Sequence, residues 1–494
     1  MHKDRYYDVV IVGAGIVGSA LARELSAWSL RIAVIDRASD IPSGASRANS
    51  AMIHAGYDDE PGTVKAALCA EGNRLYRELA GPLDITLLNC GSYVCGVGDG
   101  DLAKLELLLD QGRENGVPGL EIIGADELHA AEPNVTPDVT HALRAPTGAI
   151  INNFEAVLAF MDNAQQNGVD LFLETELTSL LLSDDRGAVT GATTNRGVFF
   201  APVVINASGT SSDLVAGMAG DHSFRISPIR GEYYILDKNY GHTVNSFLFS
   251  CPTDRGKGVT VAPTAERNLL IGPTSQLQES REDASTTAEG LAEVMDGARA
   301  LVPSITPSMA ITTFSGLRAS ADTKDFVINA LDSPHGFVNV AGIKSPGFTA
   351  APAIARRVVD LMKDRLSDII TFVPNRKFVP ERRHIPRFES LPVEEKARLA
   401  AADPRYAQIV CRCETVTEAQ IVEAIRRGAR TVAAVKIWTR AGAGRCQGGF
   451  CGPRVVAILA RELGIPPDEV TRHGGHSRLL SGRTKDYWFR EAGR

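Results

Sequence analysis

No stretch of the 494-residue sequence holds the run of ~18 or more apolar residues that a membrane-spanning helix needs. Positive charge is not in excess either: 52 Lys and Arg stand against 59 Asp and Glu, a formal net charge of −7. Wrapping nucleic acid by general electrostatics requires concentrated positive charge, so that class of partner is excluded. Met1 to Tyr7 is charged and leads straight into a strand-like run, with no apolar signal segment or cleavage site, so the expected location is the cytoplasm. Cysteine is sparse, with 8 in the chain, far from the disulfide framework of a small secreted domain. Glycine is not sparse: 46 residues fit a backbone that closely approaches a large ligand. Hydrophobic residues at 44% and charged residues at 22% are ordinary for a soluble globular protein, and the length accommodates about three domains.

Asp8 to Val12 reads as a short buried strand, followed by Gly13-Ala14-Gly15-Ile16-Val17-Gly18 and a helical run from Ser19 to Ala27. A second strand, Arg31 to Ile35, ends at Asp36, 23 positions after Gly13. Each part has a task in binding a dinucleotide. Gly13 permits the tight turn, Gly15 lets the backbone approach the pyrophosphate, and Gly18 lets the helix lie close to the sheet. The helix N-terminus, Ile16 included, turns free N–H groups towards phosphate, and Asp36 can accept ribose hydroxyls while disfavouring a 2′-phosphate. Arg37, next in the chain, belongs to the same candidate cofactor-binding set. The fingerprint alone does not choose between NAD and FAD.

A second strand-to-glycine-to-helix unit lies about 325 residues later. Phe326 to Ile328 and Phe337 to Val340 are strand-like, the latter running through Gly342 to Ser345-Pro346-Gly347-Phe348-Thr349 and a helix over about Ala350–Met362. Between the two units, Val169 to Leu180 is strand-like and Val203 to Gly209 is another buried strand with a small-residue end. One sheet assembled from distant pieces is expected, its backbone N–H groups facing the cofactor at Gly209, Gly342, Gly347, Phe348 and Thr349.

Four of the cysteines cluster at the C-terminal end, as Cys411-Arg412-Cys413 and Cys446-Gln447-Gly448-Gly449-Phe450-Cys451. Two close pairs on separate loops bring four thiolates around a metal or cluster. Zinc can use four thiolates too, although its structural sites usually space paired cysteines by two to four residues. The surroundings favour iron–sulfur: Gly442, Gly444, Gly448, Gly449 and Gly452 can expose N–H groups to sulfides, and Pro453 opens a helix over Arg454–Glu462 whose dipole points at the anionic centre. A helix over Thr417–Arg427 is expected to be capped by Thr417 and closed at Gly428. Cys69, Cys90, Cys95 and Cys251 have no local pairing logic and read as buried thiols, and Trp438 reads as core packing.

Residues 8–36, the segment Ser46-Arg47-Ala48-Asn49-Ser50 through His54-Ala55-Gly56, the VVINASG strand, Ser315-Gly316-Leu317-Arg318 and Gly336 to Thr349 resemble the D-amino-acid-oxidase-type FAD oxidoreductases over about residues 5–370. Within that group the chain is similar to 2-hydroxyglutarate oxidases and to the catalytic subunit of anaerobic glycerol-3-phosphate dehydrogenases. The order C-x-C, 32 residues, C-x4-C resembles the bacterioferritin-associated-ferredoxin-like [2Fe–2S] domain over residues 409–465. The resemblance implies FAD in extended form, contacted by Ser46, Asn49 and Ser50, beneath a mostly antiparallel substrate domain. It implies Cys411, Cys413, Cys446 and Cys451 as cluster ligands.

It also places candidate substrate residues. His54 falls beside the isoalloxazine, where its reference pKa of ~6.5 suits a base; the alternative readings are a histidine that only shapes the pocket or a covalent flavin attachment. Arg318 matches the arginine that related enzymes use for an anionic substrate end, a role suited to its rigid five-donor fork. Arg255-Gly256-Lys257-Gly258 resembles a substrate-domain stretch of hydroxyacid and glycerol-phosphate enzymes, whereas composition alone reads it as an exposed hairpin. Lys344 departs from the acid expected of the 2-hydroxyglutarate pattern and matches the lysine of glycerol-3-phosphate enzymes.

The expected architecture is α/β: a discontinuous Rossmann-like FAD-binding domain (1–45, 146–219, 319–370), an inserted α+β domain with a mostly antiparallel sheet (46–145, 220–318), a proline-rich linker (371–408), the [2Fe–2S] domain (409–465) and a basic, aromatic tail (466–494). The implied activity is a dehydrogenase that oxidises a small anionic hydroxy compound, best matched by glycerol 3-phosphate, and passes electrons through the cluster to a separate acceptor. L-2-hydroxyglutarate or another 2-hydroxyacid, an amino or imino acid, and a cofactor-bearing scaffold with a silent pocket are the other readings. A homo- or hetero-oligomer, and peripheral membrane location through a partner, are compatible with it. The tail, with Tyr487, Trp488 and Phe489 together, either packs on its own protein or meets such a partner.

Overall fold

The computed structural model describes residues 5–252 and 258–482. It divides into two compact units, one of residues up to 37 and from 42 to 382, the other of residues 38–41 and from 383 onward.

The centre of the first unit is a six-stranded sheet in the order Asp170–Phe172, Ile32–Ile35, Val9–Val12, Val203–Asn206, Phe337–Ala341, Val327–Ala330. Its neighbours run parallel except the last pair, where Val327–Ala330 turns back antiparallel. The four inner strands are buried along their whole length, as strands covered on both faces must be, and Ile32–Ile35, Val9–Val12 and Val203–Asn206 are mostly β-branched. Helix Ile16–Ser26 crosses between the first two strands in sequence and packs on helices Asn153–Gln166 and Gly347–Arg365. It begins three residues before the expected Ser19, because the glycine run itself supplies its N-cap, Gly15.

Two expectations need correction here. The strand-like stretch Val169 to Leu180 is two strands in different sheets: Asp170–Phe172 lies at the edge of the central sheet, while Leu177–Leu182 joins a sheet with Val189–Thr194, Gly197–Phe200 and Arg5–Tyr6. The break falls at Glu174, whose φ of 49° takes the chain out of the extended region. The expected C-terminal helix opens at Gly347, not Ala350, and runs to Arg365 with Pro352 tolerated in its first turns.

The inserted sheet is mixed and mostly antiparallel. Its spatial order is Gln276–Leu277, Ile226–Leu236, Leu269–Gly272, Thr260–Pro263, Phe247–Ser250, Ser92–Gly96, His141–Ala145, Glu121–Gly124, with Ala310–Ala321 also paired to Ile226–Leu236. The parallel step joins Phe247–Ser250 to Ser92–Gly96, where the two sequence insertions meet. Its two faces are covered differently. Val294, Met295, Ala298 and Leu301 of helix Ala288–Leu301 pack with Leu248, Val261 and Ile271. Leu105, Leu108 and Leu109 of helix Gly98–Glu114 pack with Val94, Phe247 and Phe249. The boundary expected at 318/319 falls inside the strand Ala310–Ala321.

The stretch expected as a linker, 371–408, divides between the units. Ser29 N–H donates to the Val373 carbonyl at 2.7 Å and Asn375 N–H to that of Ala27 at 2.8 Å, which tie its first part to the first unit. Its later part forms helix Val393–Ala402 within the second unit. That unit is otherwise a two-stranded pair, Ile409–Cys411 with Val416–Thr417, and three helices, Glu418–Arg426, Val432–Thr439 and Gly452–Leu463. Thr417 caps the first through a capping box with Gln420. Trp438, 8% exposed on the second helix, is core. The expected tail aromatics, 487–489, lie outside the described residues. Among the described residues no helix is long and apolar enough to cross a membrane.

Gly18 lies directly against the turn it follows: a Cβ there would sit 1.8 Å from the Gly13 carbonyl oxygen. Gly18→Ala should therefore cost about 1–3 kcal/mol of stability, as overpacked sites do. Urea unfolding at saturating FAD measures this, and an unchanged midpoint would contradict the packing described.

Candidate functional site

Gly13 has φ +108° and its Cβ position is blocked by the Ala207 carbonyl oxygen at 2.4 Å, so the turn between Val9–Val12 and the helix can be made only by glycine. The turn is held from two sides. Asp36 Oδ2 accepts the Ala14 N–H at 2.7 Å, and Ser46 Oγ accepts the Ile16 N–H at 2.9 Å. The N-cap, Gly15, supplies no side-chain oxygen to the first helical turn. Its own Cβ would meet the Ser46 hydroxyl at 2.9 Å, so Gly15 admits Ser46 as well as a close phosphate. These features fit a pyrophosphate at the helix N-terminus. Asn49 braces the next loop, donating to the Ala45 and Ser46 carbonyls at 3.0 Å and accepting from Ala51 N–H at 2.7 Å; Ser50 lies half-buried beside it. Gly209 opens the short turn Gly209–Ser211 at φ +61°. Arg37 is ion-paired to Glu282 at 2.9 Å and stands half exposed.

His54 is brought to the second glycine unit. Its N–H donates to Thr349 Oγ1 at 2.9 Å, and its Nε2 lies 3.3 Å from the Ser345 hydroxyl. Thr349 in turn donates to the Met52 carbonyl at 3.3 Å. Helix Val64–Ala80 supports both: Asn73 donates to the His54 carbonyl at 2.8 Å, and the buried Tyr76 hydroxyl to the Phe348 carbonyl at 3.0 Å. A cleft lined by His54, Tyr57, Asp58, Phe249 and Ser250 adjoins the ring.

Arg318 lies on Ala310–Ala321 opposite Ile229. Its guanidinium donates to the Thr274 carbonyl and occupies the space that a Cβ on Gly231 would fill, 2.7 Å from Nη2. Its Nε is buried without a hydrogen-bond partner, a donor still to be satisfied. Ser320, two residues on and so on the same face of the strand, accepts from Lys344 Nζ at 3.2 Å. Gly316 lets this strand touch the loop that carries Ser46 and Asn49: its Cβ would fall 2.3 Å from the Ala48 carbonyl oxygen. Gly342, at φ +66°, packs on Ala321, and Gly347 packs on Ile343. Arg255 and Lys257 lie outside the described residues.

In the second unit the thiols pair across the two loops rather than within them. Cys413 and Cys446, both exposed, stand 3.8 Å apart, and the buried Cys451 donates to the buried Cys411. That bond, with N–H groups of Gly442 and Glu414, holds the Cys411 thiol down to about 6. The Phe450 and Gly448 N–H groups lower that of Cys446. Backbone donors aimed at sulfur on both loops are what an anionic iron–sulfur centre requires. Two thiol pairs, Cys413 with Cys446 and Cys411 with Cys451, suit two irons better than one zinc. Gly444 also lets the two loops pack closely: its Cβ position is 2.5 Å from Cys413 Cβ. Of the scattered cysteines, Cys90 is only half-buried; burial raises it and Cys251 to about 11 and Cys95 to about 12.

Asn73, Tyr76, Thr274, Gly231 and Ser345 were not singled out by sequence. Their roles rest on contacts across 19 to 291 positions, such as Asn73 with His54 and Ser345 with His54, which no local spacing encodes.

The FAD dependent oxidoreductase family model matches residues 8–361 and the BFD-like [2Fe-2S] binding domain matches 409–461. The chain is 42% identical to a glycerol 3-phosphate dehydrogenase of Caloramator mitchellensis over 97% of this chain and 99% of that one. It is 27% identical to a mitochondrial L-2-hydroxyglutarate dehydrogenase of Nematostella vectensis over 74% and 92%. Among solved structures, the dithionite-reduced L-alpha-glycerophosphate oxidase from Mycoplasma pneumoniae with FAD bound superposes with a TM-score of 0.72 at 28% identity, covering 76% of this chain and 98% of that one. The turn at Gly13, the paired thiols and these likenesses agree: the chain belongs to the FAD dependent oxidoreductase family and carries a BFD-like [2Fe–2S] binding domain at its C-terminal end.

Proposed function

We propose that the chain oxidises glycerol 3-phosphate at its secondary hydroxyl. The observation that carries this reading is the 42% identity, across nearly the full length of both chains, to a glycerol 3-phosphate dehydrogenase. The site's chemistry supports it. Arg318, with one donor satisfied by Thr274 and Nε unpartnered, is set to take an anionic oxygen of the substrate. Lys344, anchored towards Ser320 on the same strand face, adds positive charge there. His54 is fixed through its N–H by Thr349 and through its carbonyl by Asn73, with Nε2 beside the Ser345 hydroxyl, which supports it as the acceptor of the hydroxyl proton. Bound FAD supplies the two-electron acceptor, and the [2Fe–2S] centre a one-electron relay. Gly13, Gly15, Gly18 and Asp36 form the proposed seat of the ADP half of FAD, and Cys411, Cys413, Cys446 and Cys451 the ligands of the cluster.

Arg318→Lys keeps the charge but loses the fork. Losing one charged contact that persists into the transition state costs roughly 2–4 kcal/mol, or about 30- to 1000-fold in kcat/KM for glycerol 3-phosphate. Steady-state kinetics check this; a value within about twofold of the parent would remove Arg318 as the anchor. Lys344→Glu should abolish glycerol 3-phosphate turnover, whereas a 2-hydroxydicarboxylate enzyme would tolerate the acid, so assaying both substrates separates the two readings. Protein purified and reconstituted without oxygen should hold about two irons and two acid-labile sulfides per chain. Cys446→Ser should lower both contents, while stoichiometric zinc in the parent would contradict the cluster assignment.

A further inference from the structure

We infer that the loop rim around Cys413 and Cys446 is the face through which electrons leave, and that it receives the acidic face of a one-electron carrier protein. The inference rests on the proposed electron path. The two thiols are the exposed members of the set, while Cys411 and Cys451 are buried, so one side of the centre faces outward. Phe450, between the ligand cysteines, is 55% exposed, unusual for a phenylalanine in a well-formed small domain. The Arg412 guanidinium stacks over its ring at 4.8 Å, giving a cation–π pair beside the thiols. Arg454 is exposed on the first turn of helix Gly452–Leu463 and is tied by its Nη1 to the Ile409 carbonyl at 2.8 Å, which fixes it beside the strand leading into Cys411. Arg445 is exposed next to Cys446. Exposed aromatic and arginine side chains together are the composition of protein-binding patches.

The sign of the patch is the second observation. Segments 409–413 and 442–454 carry three arginines and no acid. The neighbouring acid, Glu414, is buried and ion-paired with Arg440 at 2.7 Å. The asymmetry extends beyond the loops: residues 383–494 contain 20 Lys and Arg against 12 Asp and Glu, a formal +8, inside a chain of net −7. A basic rim in an acidic protein is not required for solubility. It steers an anionic partner to one place and repels it elsewhere. A [2Fe–2S] centre passes electrons singly, so the partner is a one-electron carrier.

The test uses the full, cluster-loaded chain with its cluster reduced by dithionite, so that it does not depend on the identity of the substrate. Oxidation is followed by loss of the reduced-cluster EPR signal, with ferricyanide, tris(phenanthroline)cobalt(III) or an oxidised acidic flavodoxin as acceptor. The bimolecular rates with ferricyanide and with flavodoxin should fall as salt rises, and the rate with the cobalt complex should rise. Arg412→Glu and Arg454→Glu should each slow both anionic acceptors about tenfold at low salt and erase the salt dependence. Phe450→Ala should slow flavodoxin alone. Iron content and flavin bleaching by glycerol 3-phosphate should stay at parental levels in all three variants. Rates with ferricyanide that rise with salt, as the net charge of −7 alone requires, would overturn the inference. So would arginine variants that leave both anionic rates unchanged, or a flavodoxin rate indifferent to Phe450. Absence of flavin bleaching in the parent would instead count against the proposed substrate and leave the rim result standing.

Discussion

Two helix backbones meet where Gly72 faces Thr349: a Cβ on Gly72 would lie 2.0 Å from the Thr349 carbonyl oxygen. This close approach brings helix Val64–Ala80 against the start of helix Gly347–Arg365, and the rest of the flavin-side site is arranged around it. With the backbones in contact, Tyr76 reaches the Phe348 carbonyl and Asn73 the His54 carbonyl. Thr349 then holds His54 from the other side. A larger residue at 72 would separate the helices and release three hydrogen bonds that position one imidazole, each worth about 0.5–1.5 kcal/mol net. The geometry of His54 is thus a consequence of helix packing, although His54 itself sits in a loop.

The substrate side is joined to the flavin side by the same device. Gly316 lets strand Ala310–Ala321 touch Ala48 in the loop that carries Ser46, whose hydroxyl closes the dinucleotide turn at Ile16. Arg318 lies two residues beyond that contact, in the space that Gly231 leaves open. Displacing the loop therefore displaces the arginine's strand as well, and on the proposed function the seats of the cofactor and of an anionic substrate share one set of backbone contacts. Positional precision of this kind matters because reaction requires near-attack alignment.

The parts legible in the sequence are those whose physics is local. Gly13 to Gly18 with Asp36 occupy one continuous segment, so turn, helix start and acid could be read in order, and the four cysteines sit on two short loops. Elements whose fate depends on distant partners were not legible. Val169 to Leu180 looks like one strand by composition, yet Glu174 divides it between two sheets because its halves pair with Ile32–Ile35 and Val189–Thr194. The partnership of Ser345 with His54 was hidden in the same way, since a serine beside a proline carries no signal of a histidine 291 positions away. The pairing of thiols across the loops was invisible for the same reason: spacing in sequence brings Cys411 and Cys413 together, whereas the fold sets Cys413 beside Cys446.

On the proposed function, electrons taken from a small phosphorylated alcohol pass from the flavin to the cluster within this chain. Anaerobic mixing of the FAD- and cluster-loaded protein with glycerol 3-phosphate, followed by stopped-flow absorbance and freeze-quench EPR, tests it most directly. The expected result is rapid loss of the oxidised-flavin absorbance and then a reduced-cluster EPR signal, both absent with glycerol alone. Flavin that stays oxidised with glycerol 3-phosphate but bleaches with L-2-hydroxyglutarate, or bleaches without any cluster signal, would contradict it.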